Sequence, residues 1–322
     1  MFKKGLVIGK FYPPHRGHKY LIDTAQAASE EVTVIVCYKQ TESIPGYLRA
    51  AWIQQIHPQA RVMLIEDNKL SDDDSKGWAA FTKEILGYTP DAVFTSEDYG
   101  DAYASFMGSV HVLVDRMRTT VPVSGTLVRS NAQSYLDFLE PVVRAYFVKR
   151  VCVLGAESTG TTTLAKALAE HYQTAWVPEY GRYFSEGKLP LGDKLRWRTE
   201  EFVSIAKAQQ QFENSLAETA NKVLIADTDA FATSVWHERY LGTSAPAVEA
   251  VANTSQPDLY IVTGDEIPFE QDGTRDGEHI RHGMHTRFIE KLTETKRPFL
   301  LVQGTLDERM QTATKAIDML LV

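Results

Sequence analysis

Two histidines three residues apart stand in the run Gly9-Lys10-Phe11-Tyr12-Pro13-Pro14-His15-Arg16-Gly17-His18. A strand that ends in glycine and a stiff Pro-Pro turn delivers backbone N–H groups and both imidazoles to the start of the next helix, where the dipole favours phosphate. Gly17 lets a polyphosphate approach the backbone closely. About one domain-length later comes Val123-Ser124-Gly125-Thr126-Leu127-Val128-Arg129. Ser124 or Thr126 can cap a helix while offering hydroxyl and N–H donors, and Arg129 adds a guanidinium one turn on. Each element alone reads as surface histidines near a turn, or as a capped helix start. Paired, they read as two walls of a triphosphate site.

A second phosphate-type pattern is Gly155-Ala156-Glu157-Ser158-Thr159-Gly160-Thr161-Thr162-Thr163, set between an apolar strand and an amphipathic helix. This is the context of a P-loop, whose backbone N–H nest depends on its glycines. Thr161 occupies the place of the usual lysine, and Thr162 the place of the magnesium-binding hydroxyl. A positive charge against the β/γ-phosphates is therefore missing. Lys166 lies one turn further on. The strand Ile225-Ala226-Asp227 continues into Thr228-Asp229, and two carboxylates there suit magnesium or activation of an acceptor hydroxyl; a helix cap would explain only one of them. Asp227 is the choice for the acceptor hydroxyl and Asp229 for the metal, with an exchange of roles left open. Arg275 and Arg281 lie in a polar, Gly-containing stretch that reads either as a surface loop or as a lid supplying charge. His279, His282 and His285 are read as lid or helix residues.

Short apolar strands over residues 5–9, 32–38, 61–66, 91–95 and 110–115 alternate with helical periodicity over 19–29, 48–57 and 78–86. The rhythm restarts with strands over 150–154, 223–226, 259–262 and 299–302. Alternation of this kind implies parallel sheets covered on both faces. The fold class expected is α/β in two domains, residues 1–145 and 146–322, with the seam near 140–149. A length of 322 residues fits two domains of ordinary size. A net charge of -8 argues against a nucleic-acid-coating surface. No apolar run is long enough to cross a bilayer and none follows the N-terminus as a signal peptide would. Cys37 and Cys152 fall within strand-like runs without metal spacing, so reduced thiols and a cytoplasmic location are expected. Asp72-Asp73-Asp74 reads as a solvated turn.

The pair G-x-F-x-P-x-H-x-G-H and S-x-T-x-x-R resembles the signature of the nucleotidyltransferase superfamily. Ile44-Pro45-Gly46-Tyr47-Leu48-Arg49-Ala50-Ala51-Trp52, Thr95-Ser96-Glu97-Asp98-Tyr99-Gly100 and Asp115-Arg116-x-Arg118-x-x-Val121-Pro122 are similar to the bifunctional NMN adenylyltransferase/ribosylnicotinamide kinase family (NadR). The resemblance extends over essentially the whole chain. It implies a Rossmann-like nucleotidyltransferase domain followed by a P-loop kinase-like domain, with ATP, NMN and ribosylnicotinamide as substrates, NAD as product and Mg2+ as the accompanying ion. His15 and His18 would hold the ATP phosphates, with Gly9, Lys10 and Phe11 beside them and Ser124, Thr126 and Arg129 on the β/γ side. Trp78 would stack on the nicotinamide, its competing role being a core tryptophan. In the second domain Gly155, Glu157, Ser158, Thr159, Gly160, Thr161, Thr162 and Thr163 would bind nucleotide. Glu179 and Arg182 of Pro178-Glu179-Tyr180-Gly181-Arg182, together with Arg275 and Arg281, would complete the site. Gly304-Thr305-Leu306-Asp307-Glu308-Arg309 resembles an adenine-side loop. Family members often carry an N-terminal helix-turn-helix repressor domain; this sequence opens on the first strand, so that activity is not expected. Besides the bifunctional enzyme, a monofunctional adenylyltransferase with a sensing P-loop domain and a non-catalytic regulator remain alternatives. The oligomeric state is open, a homo-oligomer included.

Overall fold

The computed structural model describes residues 1–67, 70–71, 73–188, 196–254, 256–271 and 277–322. Two compact units follow one another, Met1–Arg144 and Ala145–Val322.

In the first unit five strands, β1 (Phe2–Gly9), β2 (Ser29–Tyr38), β3 (Arg61–Glu66), β4 (Ala92–Thr95) and β5 (Val110–Leu113), form one parallel sheet in the order β3-β2-β1-β4-β5. The helices are α1 (Arg16–Ala28), α2 (Gly46–Ile56), α3 (Ser75–Leu86), α4 (Gly100–Met107), α5 (Gly125–Ser130) and α6 (Ala132–Tyr135); α7 (Pro141–Phe147) carries the chain into the next unit. Successive residues of a strand point to opposite faces. Val7, Val34, Val36 and Phe94 pack into one buried cluster, while Leu6, Ile35, Cys37 and Val93 pack into another. Both faces of the sheet are thus covered, and each such aliphatic side chain contributes about 1.5–3 kcal/mol of burial. β1 begins three residues before the apolar run because the N–H groups of Lys3 and Lys4 both donate to Asp91, at 2.9 and 2.8 Å. β1 pairs with β2 on one side and with β4 on the other. The chain switches direction of growth there, which opens a crevice beyond the carboxyl ends of the strands.

The second unit repeats the plan with β6 (Lys149–Leu154), β7 (Trp176–Val177), β8 (Val223–Asp227), β9 (Leu259–Thr263) and β10 (Phe299–Val302), parallel in the order β10-β9-β6-β8-β7. Its helices are α8 (Thr161–His171), α9 (Tyr180–Lys188), α10 (Thr199–Ala217), α11 (Ala230–Leu241), α12 (Pro246–Ala252), α13 (Arg281–Glu294) and α14 (Leu306–Leu321). Cys152 and Leu154 face one core cluster and Val151 and Val153 the other. β7, with two residues, is too short to carry a periodic signal. Both cysteines are buried thiols. No helix among the described residues is long and apolar enough to cross a membrane.

Candidate active sites

In the first unit the loop after β1 runs into α1 at His15, whose extended backbone makes it the N-cap. Its Nδ1 accepts the His18 N–H at 3.4 Å, a long bond. The two rings stack with centroids 3.7 Å apart, and Phe11 meets His18 edge-on at 5.0 Å. Burial, then the Arg118 charge, lowers His15 from its ordinary value of 6.5 to about 4. Burial drives His18 well below its ordinary range too, with His15 and Arg118 adding to the effect. Both rings are therefore neutral at pH 7. Acceptance at Nδ1 leaves the His15 proton on Nε2. His18 Nδ1 is buried with no hydrogen-bond partner among the described residues, an unmet polar atom beside a cleft.

The facing wall is α5. Ser124 caps it by accepting the Leu127 N–H at 3.2 Å. Arg129 donates to the Tyr12 carbonyl and, at 3.2 Å, to the Thr126 hydroxyl. Its guanidinium lies 4.3 Å from the centre of the Tyr12 ring. A Cβ at Gly125 would stand 2.5 Å from the Tyr12 carbonyl oxygen, so the S-x-T spacing requires glycine in the middle. Gly9, Lys10, Phe11, His15, His18, Trp78, Ser124, Thr126 and Arg129 all line one cleft of about 760 Å³. Trp78 is half-buried and donates through Nε1 to the Ser71 carbonyl at 3.0 Å. Asp74 caps α3 by accepting the Gly77 N–H at 2.8 Å, and Asp73 reaches the cleft; Asp72 lies outside the described residues.

Two further arginines, Arg49 and Arg118, shape this cleft. Arg49 is completely buried, with Nη1 on the Lys10 carbonyl at 2.7 Å and Nη2 on Glu42 at 2.5 Å. It fixes the loop that carries Lys10. Arg118 lines the cleft and pairs with Glu97 at 3.0 Å. Its segment is pinned by Asp115, which accepts the N–H groups of Thr119, Thr120 and Val121 at 2.9, 3.1 and 3.0 Å. Besides the family-like segment in which it stands, the sequence signal for Arg49 is a single charge in a helix that is otherwise uncharged.

The neutral histidines carry a pH consequence. Between 6.5 and about 4 the unfolded chain protonates His15 while the folded chain does not. Stability therefore falls as pH is lowered through that window, because the unfolded state binds more protons. Thermal melts of the wild type from pH 7 to pH 4, compared with a His15→Asn/His18→Asn variant, are expected to show a weaker acid dependence in the variant; parallel curves would contradict the shift.

In the second unit β6 leads through Gly155–Gly160 into α8, with positive φ at Ser158 (59°) and Gly160 (81°). Gly155, Glu157, Ser158, Gly160, Thr161, Thr162, Thr163, Glu179 and Arg182 line a cavity of about 190 Å³. Trp197, Trp236 and Tyr240 line it as well. Thr159 is buried behind the loop, where its hydroxyl meets the Ala156 carbonyl at 2.6 Å and Thr263 at 2.7 Å. A Cβ on Gly155 would come within 2.2 Å of the Thr263 hydroxyl. The loop is braced by two buried guanidiniums. Arg281 donates to the carbonyls of Ser158 (3.0 Å) and Ile267 (2.6 Å), and Arg309 to that of Thr159 (2.6 Å) while pairing with Glu266 at 2.7 Å.

Several expectations change here. Arg281, expected as lid charge, is bonded to loop carbonyls as a brace and is absent from the cavity wall. Arg275 lies outside the described residues. Lys166 stands 4.6 Å over the Trp176 ring, off the cavity wall. Arg309, within the segment compared with an adenine-side loop, braces the P-loop. Asp229, the residue expected on the metal, does not line the cavity. It caps α11 by accepting the Ala232 N–H at 2.9 Å and takes the Tyr260 hydroxyl at 2.7 Å, so both carboxylate oxygens are engaged inside the core. Thr228, with φ of 65°, turns the chain between the two aspartates. Asp227 instead receives the Thr162 hydroxyl on Oδ2 at 2.5 Å, and its Oδ1 is buried with no hydrogen-bond partner among the described residues. Burial raises its pKa, and the Thr162 hydroxyl counters that in part. Asp227 sits behind Thr162, is 1% exposed and does not itself line the cavity. His282 pairs with Asp265 at 3.0 Å, and no group of three potential metal ligands occurs among the described residues.

A family model described as an AAA domain matches residues 150–309. The trifunctional NAD biosynthesis/regulator protein NadR of Escherichia coli (strain K12) is 30% identical over 325 residues, covering 93% of this chain and 78% of the relative. Its counterpart from Salmonella typhimurium is 30% identical over 323 residues with the same coverage of 93% and 78%. A crystal structure of NadR protein in complex with NR superposes with a TM-score of 0.80 at 21% identity, covering 98% of this chain and 95% of that one. Another, with NAD and AMP-PNP, gives 0.76 at 20% identity over 98% of this chain and 97% of that one. These structures share the fold. With the sequence relatives matched over most of their length, the chain belongs to the NadR family.

Proposed function

We propose that the chain makes NAD in two steps: ATP-dependent phosphorylation of ribosylnicotinamide in the second unit and adenylylation of the resulting NMN in the first. In this reading the first unit is a Rossmann-like nucleotidyltransferase domain and the second a P-loop kinase-like domain. The observation that carries the reading is the convergence of His15, His18, Thr126 and Arg129 on one cleft at the carboxyl ends of a parallel sheet.

In the adenylyl step an oxygen of the NMN phosphate attacks the α-phosphorus of ATP, and the bond to the departing pyrophosphate breaks. Catalysis is then orientation plus stabilisation of charge on the phosphoryl oxygens. Neutral imidazoles serve as N–H donors rather than as fixed cations, and a bound polyphosphate would raise their proton affinity. Arg129 and Arg118 supply the permanent charge. Trp78 offers an indole face to the cationic nicotinamide ring.

In the kinase step the ribose hydroxyl attacks the γ-phosphorus, the bond to the β-bridging oxygen breaks and ADP leaves. The hydroxyl proton passes to the cavity wall, where Glu157 and Glu179 are the carboxylates among the described residues. Thr162 and Asp227 fit the Mg2+ that accompanies ATP, since a hydroxyl and a carboxylate oxygen without a partner stand together there. That ion supplies charge neutralisation at the phosphates. The Trp197, Trp236 and Tyr240 side chains give the cavity an apolar, aromatic side suited to a pyridinium ring.

Initial rates with NMN and ATP varied separately test the substrate assignment of the first unit. Trp78→Ala is expected to raise KM for NMN about tenfold, on the scale of one cation–π contact, with KM for ATP nearly unchanged. An equal loss for both substrates would mark Trp78 as structural.

A further inference from the structure

The P-loop of this chain has Thr161 where the pattern places lysine, and the site must find its phosphate charge elsewhere. Each nearby cation has a distinct fate. Arg281 and Arg309 are buried and bonded to loop carbonyls. Lys166 lies over Trp176, and Lys188 pairs with Glu201 at 2.7 Å. Among the described residues, Arg182 is the only basic residue lining the cavity that Thr161, Thr162 and Thr163 line. It projects from the first turn of α9, and its charge, like that of Lys166, acts on Asp227, the carboxylate bonded to Thr162; lining the cavity is what sets Arg182 apart.

We infer that Arg182 stands in for the P-loop lysine: its guanidinium neutralises the transferring phosphoryl group of ATP, so that the charge reaches the site from α9 instead of from α8. The inference rests on the kinase reading of the second unit and specifies how that site works without its lysine. Charge from a guanidinium differs from charge from an ammonium in form but not in sign. An arginine delivers two parallel N–H donors to a phosphate, whereas a lysine delivers one point charge. The exchange also accounts for the threonine. A lysine at 161 would bring a second cation into a cavity of about 190 Å³ that already holds Arg182.

The test is NMN formation from ribosylnicotinamide and ATP by the full chain and four variants: Arg182→Gln, Arg182→Lys, Thr161→Lys and the double variant Arg182→Gln/Thr161→Lys. Arg182→Gln is expected to lower kcat by roughly a hundredfold or more, the scale of losing a charge that acts on the transition state, with KM for ribosylnicotinamide changed only a few-fold. Arg182→Lys should retain part of the rate. The double variant should regain at least tenfold over Arg182→Gln, because the lysine returns to its usual place. A merely structural arginine would not be rescued by a lysine on another helix. Undiminished kcat in Arg182→Gln, or a loss that Thr161→Lys leaves unrepaired, would overturn the inference while the kinase reading stood. A wild-type chain that formed no NMN would overturn both.

Discussion

Replacing His18 by alanine is expected to lower NAD formation from NMN and ATP by about two or more orders of magnitude, the scale of losing a donor to the transition state. The ring is held in place by Phe11 on its edge and His15 on its face, and its Nδ1 lacks a partner among the described residues. Such a buried atom is costly to maintain unless a ligand uses it. The effect belongs in kcat more than in the KM of either substrate, because the interaction strengthens as charge develops. His18→Asn, which keeps an N–H donor in roughly the same volume, should retain more activity than His18→Ala. Steady-state kinetics of the three proteins decide it. Wild-type turnover in His18→Ala would remove the histidine from the chemistry, and circular dichroism of the variant guards against a folding loss.

Asp227→Asn is expected to reduce NMN formation from ribosylnicotinamide by at least about a hundredfold, since phosphoryl transfer depends on charge placed around the phosphates. The substitution preserves shape and a hydrogen bond to Thr162 but removes the negative charge. If Asp227 works on the metal side, the variant should also need a higher magnesium concentration for half-maximal rate. Loss of rate with an unchanged magnesium requirement would return Asp227 to the acceptor hydroxyl. NAD formation from supplied NMN should stay near wild type in the same preparation, because the first unit is untouched. Asp229→Asn is expected to behave differently: the amide can still cap α11 but replaces the oxygen that accepts the Tyr260 hydroxyl, so its main effect falls on thermal stability.

What could be read from the sequence was whatever is contiguous. The strand–turn–helix of Gly9 to His18, the S-x-T-x-x-R run and the glycine loop after β6 each carry their geometry within about ten residues, and the alternation of strands and helices gave the α/β plan. Gly125 illustrates why such motifs are legible: the close approach of the Tyr12 carbonyl leaves no room for a side chain. Contacts across long separations were not legible. Arg281 and Arg309 reach the carbonyls of residues 158 and 159 from 123 and 150 positions away, and nothing local distinguishes them from cavity cations. The pair Asp227 and Asp229 was ambiguous for a related reason. Two carboxylates at a strand end look alike until the positive φ of Thr228 shows that the chain turns between them, sending one toward Thr162 and the other into the core.

The most direct measurement follows two labels into one product. The full chain is incubated with ribosylnicotinamide, magnesium and ATP carrying distinguishable labels on its α- and γ-phosphates, and the NAD formed is cleaved at its pyrophosphate. A two-step enzyme puts the γ label on the nicotinamide-side phosphate and the α label on the adenosine-side phosphate, with one ADP and one pyrophosphate released per NAD. Absence of NAD from ribosylnicotinamide, with NAD still formed when NMN is supplied, would contradict the kinase half. Absence of NAD from both would contradict the whole.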